Sequence, residues 1–170
     1  TGTGYFSSDV LEQVFLDIAA NHVVKNLSAD FVPKSVLHVM TKAYFSGGHT
    51  RVVERWIEAS PDEEKHSLLL TLEAGQKLPP RLQKAVQNKN GKIIRFSDWW
   101  FDLRKGLELR KIASEYEFVV LHVHPEDVVP LIAFGNSQFK RPVIFYNHAD
   151  HKFWLGVGIA DLVADLRRKG

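Results

Sequence analysis

The sequence predicts an α/β domain built on a mostly parallel sheet, and three observations predict it. Apolar runs of strand length alternate along the chain with helical segments of roughly ten residues or more, which favours β-α-β crossovers. The runs are continuously apolar rather than alternating, as strands covered on both faces are. The 170 residues suit one sizeable core and are short for two. Hydrophobic residues at 45% and charged residues at 25% match a globular chain, so disorder is excluded as the default state.

The elements follow in order. Ser7, Ser8 or Asp9 caps a helix whose apolar positions Val10, Leu11, Val14, Phe15, Ile18 and Ala19 recur at helical spacing, ending near Lys25 and Asn26. Val36-Leu37-His38-Val39-Met40 reads as a strand, Gly47-Gly48 as a turn, and Val52, Val53, Trp56 and Ile57 as the buried stripe of a second helix. A strand over 67–72, a helix opened by Pro80 over 80–87 and a strand over 92–96 come next. Ser97 or Asp98 is placed to cap a long helix holding Trp99, Trp100, Leu103, Leu107, Ile112 and Tyr116. Residues 118–123, apolar apart from His122, read as a strand covered on both faces, and Asp127 caps a helix through Phe134 that Gly135 ends, with Pro130 tolerated in its first turn. A strand over 142–146 and a short helix over 153–157 follow, while 161–166 reads equally as strand or helix. There is no internal repeat and no interior linker.

Composition narrows the function. A formal charge of +2 with scattered Lys and Arg, apart from Arg167-Arg168-Lys169, argues against a nucleic-acid partner. No cysteine is present, so disulfides and thiolate chemistry are excluded, which suits a reducing, cytoplasmic setting. No apolar run approaches the ~18 residues of a membrane span. The missing initial Met and the basic end read as a piece cut from a longer protein.

In parallel sheets ligands bind beyond the carboxyl ends of the strands, so the chemistry is expected after Met40, Val123 and Tyr146. The first loop, Tyr44-Phe45-Ser46-Gly47-Gly48-His49-Thr50-Arg51, leads glycines into a helix N-terminus; it reads evenly as a tight turn or as an anion site. The second, His122-Val123-His124-Pro125-Glu126-Asp127, puts two imidazoles on one face of a strand. There His122 also reads as a buried, hydrogen-bonded histidine and Asp127 as a helix cap. The third, Asn147-His148-Ala149-Asp150-His151, gathers an amide, two imidazoles and a carboxylate in a density that packing does not explain. Phe153 and Trp154 follow, at least one of them packing under the loop. Trp99, Trp100 and Phe101 read as core or interface, and His22, His38 and His66 as structural.

The Gly-Gly-His-Thr-Arg turn after 36–40, with the Asn-His-Ala-Asp-His-Lys-Phe-Trp segment, resembles the N-terminal domain of GT-B glycosyltransferases over roughly Ser35 to Asp165. The resemblance implies two parts: an N-terminal helix and lead-in over 1–34, and a Rossmann-like, acceptor-side domain over 35–170. The C-terminal nucleotide-sugar domain, with its paired glutamates, is absent from the sequence, so the isolated domain is expected to be inactive. Implied partners are a nucleotide-sugar donor, a sugar or lipid-linked acceptor and the missing domain. His148 is implied as the catalytic histidine facing the transferred sugar. Gly47 and Gly48 would lie against donor phosphates or acceptor, and His49, Arg51, His124, Asn147, Asp150 and His151 would line the cleft. Neither a metal nor another cofactor is required by that scheme. The alternative is a metal-dependent hydrolase using His122, His124, His148 and His151 with nearby carboxylates.

Overall fold

The computed structural model describes residues 8–22, 27, 30–72, 75–136, 138–147 and 154–165. The first helix, α1 (Asp9–Asn21), is capped by Ser8, whose Oγ accepts from the Leu11 N–H at 3.3 Å. It stops short of the expected end, because His22 leaves helical geometry and its Nδ1 sits 2.9 Å from the Ile18 carbonyl. Then come β1 (Val32–Met40), α2 (Gly48–Ala59), β2 (Lys65–Leu70), α3 (Pro80–Asn88) and β3 (Ile93–Arg95). The chain continues through α4 (Asp102–Ala113), β4 (Tyr116–His122), α5 (Val129–Phe134) and β5 (Val143–Asn147). A 3-10 turn (Val157–Ile159) leads into β6 (Leu162–Asp165).

Six strands form one sheet in the order β3-β2-β1-β4-β5-β6, every neighbouring pair parallel. This is a doubly wound, Rossmann-like sheet. The chain leaves β1 toward β2 and β3, returns through α4 to the other side of β1, and then winds outward through β5 to β6. The winding therefore reverses between β1 and β4, and the carboxyl ends of those two strands open a crevice.

Alternate residues of each strand serve opposite faces. Leu37, Val39, Leu69, Val119, Leu121 and Phe145 pack beneath Leu109, Ala113 and Leu131 of α4 and α5. Met40, Leu68 and Leu70 pack against Val53 and Ile57 of α2 and Leu82 and Val86 of α3. Each fully buried aliphatic side chain contributes about 1.5–3 kcal/mol relative to exposure. Gly106 lets α4 and α5 approach closely, since a Cβ there would stand 2.5 Å from Ile132 Cγ2. α1 lies on α5, and the buried Glu12 carboxylate fastens it by accepting from the N–H groups of Gly156, Val157 and Gly158 at 2.8, 3.2 and 2.9 Å.

Several sequence expectations are corrected at element ends. The fourth helix begins at Asp102, not at Ser97 or Asp98, because Ser97 Oγ accepts from the Trp99 N–H and its carbonyl from the Trp100 N–H, closing a tight turn instead. Trp99 and Phe101 are left 93% and 85% exposed on that turn, so neither belongs to the core. Trp100 packs on Phe96 and carries Arg104 over its ring at 4.0 Å. Tyr116 belongs to β4, since Ser114 ends α4 by bonding back to Arg110. The ambiguous segment is the edge strand β6. Of the short helix over 153–157, only Val157 is helical among the described residues, in the 3-10 turn.

Candidate functional site

The β1–α2 loop begins at the crevice. Thr50 Oγ1 accepts from the Tyr44 N–H at 2.9 Å and so fixes the loop's return into α2. Gly47, the residue preceding α2, has φ 118° and ψ 159°, a conformation in which a Cβ is strained. It supplies no side-chain cap, and no atom stands within 4 Å of where a Cβ would lie on Gly47 or Gly48. The first turn of α2 holds no acidic residue but does hold Arg51, and Arg55 follows four positions later. Both choices oppose the helix itself. A cation at the positive end of the helix dipole is unfavourable, and like charges at this spacing repel by about 0.2–0.5 kcal/mol. An anion in front of the loop would offset both costs. Phe45, Ser46, Gly47, Gly48, Arg51 and Arg55 line an open groove of about 500 Å³ there.

Across the switch point, the β4–α5 loop is held by Asp127. Its Oδ2 accepts from Thr41 Oγ1 at 2.6 Å and Thr71 Oγ1 at 2.7 Å, and its Oδ1 from the Val129 N–H at 3.0 Å. Thr41 Oγ1 in turn accepts from the His124 N–H at 2.8 Å. Asp127 thus does more than cap α5; it ties the carboxyl ends of β1, β2 and β4 together. The His124 ring stacks on Tyr44 at 5.8 Å, with its Nε2 3.2 Å from the Tyr44 hydroxyl, and His49 approaches to 6.3 Å between centroids. Beside this cluster a crevice of about 180 Å³ is lined by Thr41, Thr71, Lys105, His124, Glu126 and Asp127. Lys105 is 2% exposed, and its ammonium has no hydrogen-bond or ion-pair partner among the described residues.

The structure therefore brings His49 and His124 together, with Gly47, Gly48 and Arg51 on the loop and first turn that carry His49. Asn147 stands apart: it is 7% exposed and its amide donates to Asp165 Oδ1 at 3.0 Å, linking β5 to β6. His148, Asp150 and His151 lie outside the described residues, as does Phe153. Trp154 stacks on Phe145 at 4.4 Å. No group of three or more His, Asp or Glu side chains arranged to hold a metal occurs among the described residues. Of the four histidines of the hydrolase reading, His122 and His124 are described, and His122 Nε2 is engaged with His38 Nδ1 at 3.0 Å.

Sequence reasoning missed Tyr44 and Lys105. Tyr44 sits in the singled-out loop, but its partner is 80 residues away, and a lysine within a helix reads as solvated unless the helix is known to cover a crevice. Buried histidines are the other feature. His38, His66 and His122 are each fully enclosed and hydrogen-bonded, as a structural reading requires. Desolvation, with the charge of His66 as a smaller cause, holds the His38 pKa down at about 3; burial lowers His66 as well, against the opposing pull of Glu64. Comparison with protein families, with curated proteins and with solved structures finds no match for this chain.

Proposed function

We propose that this chain is the N-terminal, acceptor-side domain of a glycosyltransferase that moves a sugar from a nucleotide-sugar donor to an acceptor, and that it is inactive without a nucleotide-binding partner domain. The observation that carries the reading is the loop at the switch point: an uncapped helix N-terminus behind two glycines, with Arg51 and Arg55 beside it and His49 and His124 meeting next to it. Glycosyl transfer leaves negative charge on a diphosphate, and backbone N–H groups with guanidinium and imidazole groups stabilise such charge when they are held in place beforehand. Glu126, Asp127 and Lys105 around the neighbouring crevice offer acceptors and a donor suited to a hydroxyl-rich ligand. His148 follows Asn147 in sequence, directly after β5, and is the residue we assign to face the transferred sugar. Closure of a second domain over the crevice would exclude water and protect the donor from hydrolysis.

Calorimetric titration of the 170-residue chain with UDP-, GDP- and TDP-sugars tests this division of labour. Weak binding to all three, without selectivity for the base, is the expected result. Micromolar affinity for one nucleotide, or sugar transfer by this chain alone, would place the donor site here and defeat the proposal.

A further inference from the structure

Four side chains form a continuous hydrogen-bonded line through the sheet. Glu64 Oε2, just before β2, lies 3.1 Å from His66 Nε2; His66 Nδ1 lies 2.9 Å from His38 Nε2; His38 Nδ1 lies 3.0 Å from His122 Nε2. Strand register creates the line. His66 is level with Val36, two residues before His38, and His122 is level with Met40, two residues after it. The imidazoles therefore step diagonally from the amino end of β2 to the carboxyl end of β4, each at the diagonal cross-strand spacing that long side chains bridge. Consecutive rings meet edge to edge through these bonds, with centroids 5.2 Å and planes 23° and 29° apart, and Trp56 meets His38 and His122 edge-on at 5.9 and 5.7 Å. At one end the Glu64 side chain keeps 30% of its exposure; at the other, His122 has His49 at 6.4 Å and Tyr146 at 5.4 Å between ring centroids.

Such a line has only one comfortable polarity. A neutral imidazole donates from one nitrogen and accepts at the other, while an ionised carboxylate only accepts. Glu64 therefore requires the proton of His66 on Nε2, which leaves His66 Nδ1 to accept from His38 Nε2–H. His38 Nδ1 must then accept from His122 Nε2–H, and the His122 lone pair falls on Nδ1. The opposite polarity would aim the His66 Nε2 lone pair at the carboxylate.

We propose that Glu64 is a positioning residue for the carboxyl end of β4: through His66 and His38 it holds His122 as the Nε2–H tautomer, with its lone pair on Nδ1, at the end of the line where His49 and Tyr146 lie. This assignment stands whether or not the chain belongs to a glycosyltransferase.

Imidazole tautomers are read directly by long-range proton–nitrogen correlation on nitrogen-15-labelled protein at neutral pH. His66, His38 and His122 are expected to be Nε2–H with an unprotonated Nδ1. In Glu64→Ala, and in the isosteric Glu64→Gln, whose amide donates as well as accepts, the single polarity should be lost as far away as His122, three hydrogen bonds along. His22, outside the line, should not change. An Nδ1–H or doubly protonated His122 in the unaltered protein, or a His122 pattern indifferent to both variants, would overturn the assignment.

Discussion

The two faces of the sheet are made by alternate residues of the same strands, yet they differ in chemistry. Under α4 and α5 the strands contribute Leu37, Val39, Leu69, Val119 and Leu121, aliphatic groups whose contribution is burial. Under α2 the same strands place His38, His66 and His122 among Val36, Val120 and Trp56. An aliphatic face is indifferent to pH. A face of buried imidazoles stays folded only while they stay neutral, and it is this face that ends beside His49. Both faces bury aliphatic side chains, but the buried imidazoles lie on the side nearer the candidate site.

The largest effect expected from breaking the contrast is on the aliphatic face. Leu121→Ala should cost about 2–5 kcal/mol, the range for emptying a fully buried leucine site. Denaturant unfolding at mildly acidic and at neutral pH should return the same loss, because no titrating group is touched.

The second effect belongs to the other face and depends on pH. His38 binds a proton with a pKa of 6.5 when unfolded and about 3 when folded, so the unfolded chain holds more protons between those values. Stability is therefore full above 6.5 and falls as pH drops, by about 1.4 kcal/mol per pH unit for this one group, and His66 adds to the fall in the same direction. At His66 burial is joined by the charge of Lys89, while the Glu64 carboxylate opposes both. His38→Leu should flatten the acid limb of the profile while lowering stability at neutral pH by about 1–3 kcal/mol, because His66 Nδ1 and His122 Nε2 lose their partner. A profile of unchanged slope in the variant would show that His38 does not titrate on unfolding.

A smaller effect is expected at the loop joining β1 to α2. Gly47→Ala forces a Cβ into a backbone region nearly reserved for glycine and should cost about 1 kcal/mol or somewhat more, with no steric clash to add to it. Arg51→Ala should be smallest in stability, within about 0.5 kcal/mol, since the side chain is exposed. Its effect should be on anion binding instead. Titration with inorganic pyrophosphate, read as a several-fold weaker affinity at unchanged melting temperature, separates the two roles.

How far the sequence revealed this molecule depends on the range of the determining contact. The central strands were legible because covering both faces makes a run predominantly apolar, as 36–40 and 118–123 are apart from His38 and His122. The edge strand β6 was not, because Leu162 is 58% exposed and the element is four residues long, too short for a period to show. The start of α4 was misread because Trp99 and Trp100 stand four and three residues before Leu103, at helical spacing from it, while a local hydroxyl turn at Ser97 decides the geometry. At the candidate site, Gly47, Gly48, His49 and Arg51 could be singled out together because loop and helix start are contiguous in sequence. The histidine line was invisible as a line, since it joins positions 28 and 84 residues apart and exists only once three strands are in register. Asp127 was half legible: its cap is local, but its bonds to Thr41 and Thr71 span 86 and 56 residues.

Whether the switch point of this sheet receives the phosphate part of a sugar nucleotide can be read from amide-resolved titration of the 170-residue chain with a UDP-sugar and with inorganic pyrophosphate. Both ligands should shift the same amides, those of Gly47, Gly48, His49 and Arg51, with similar weak affinities, and Arg51→Ala should weaken both alike. Shifts confined to other loops, or a response to the nucleotide sugar with none to pyrophosphate, would contradict that reading.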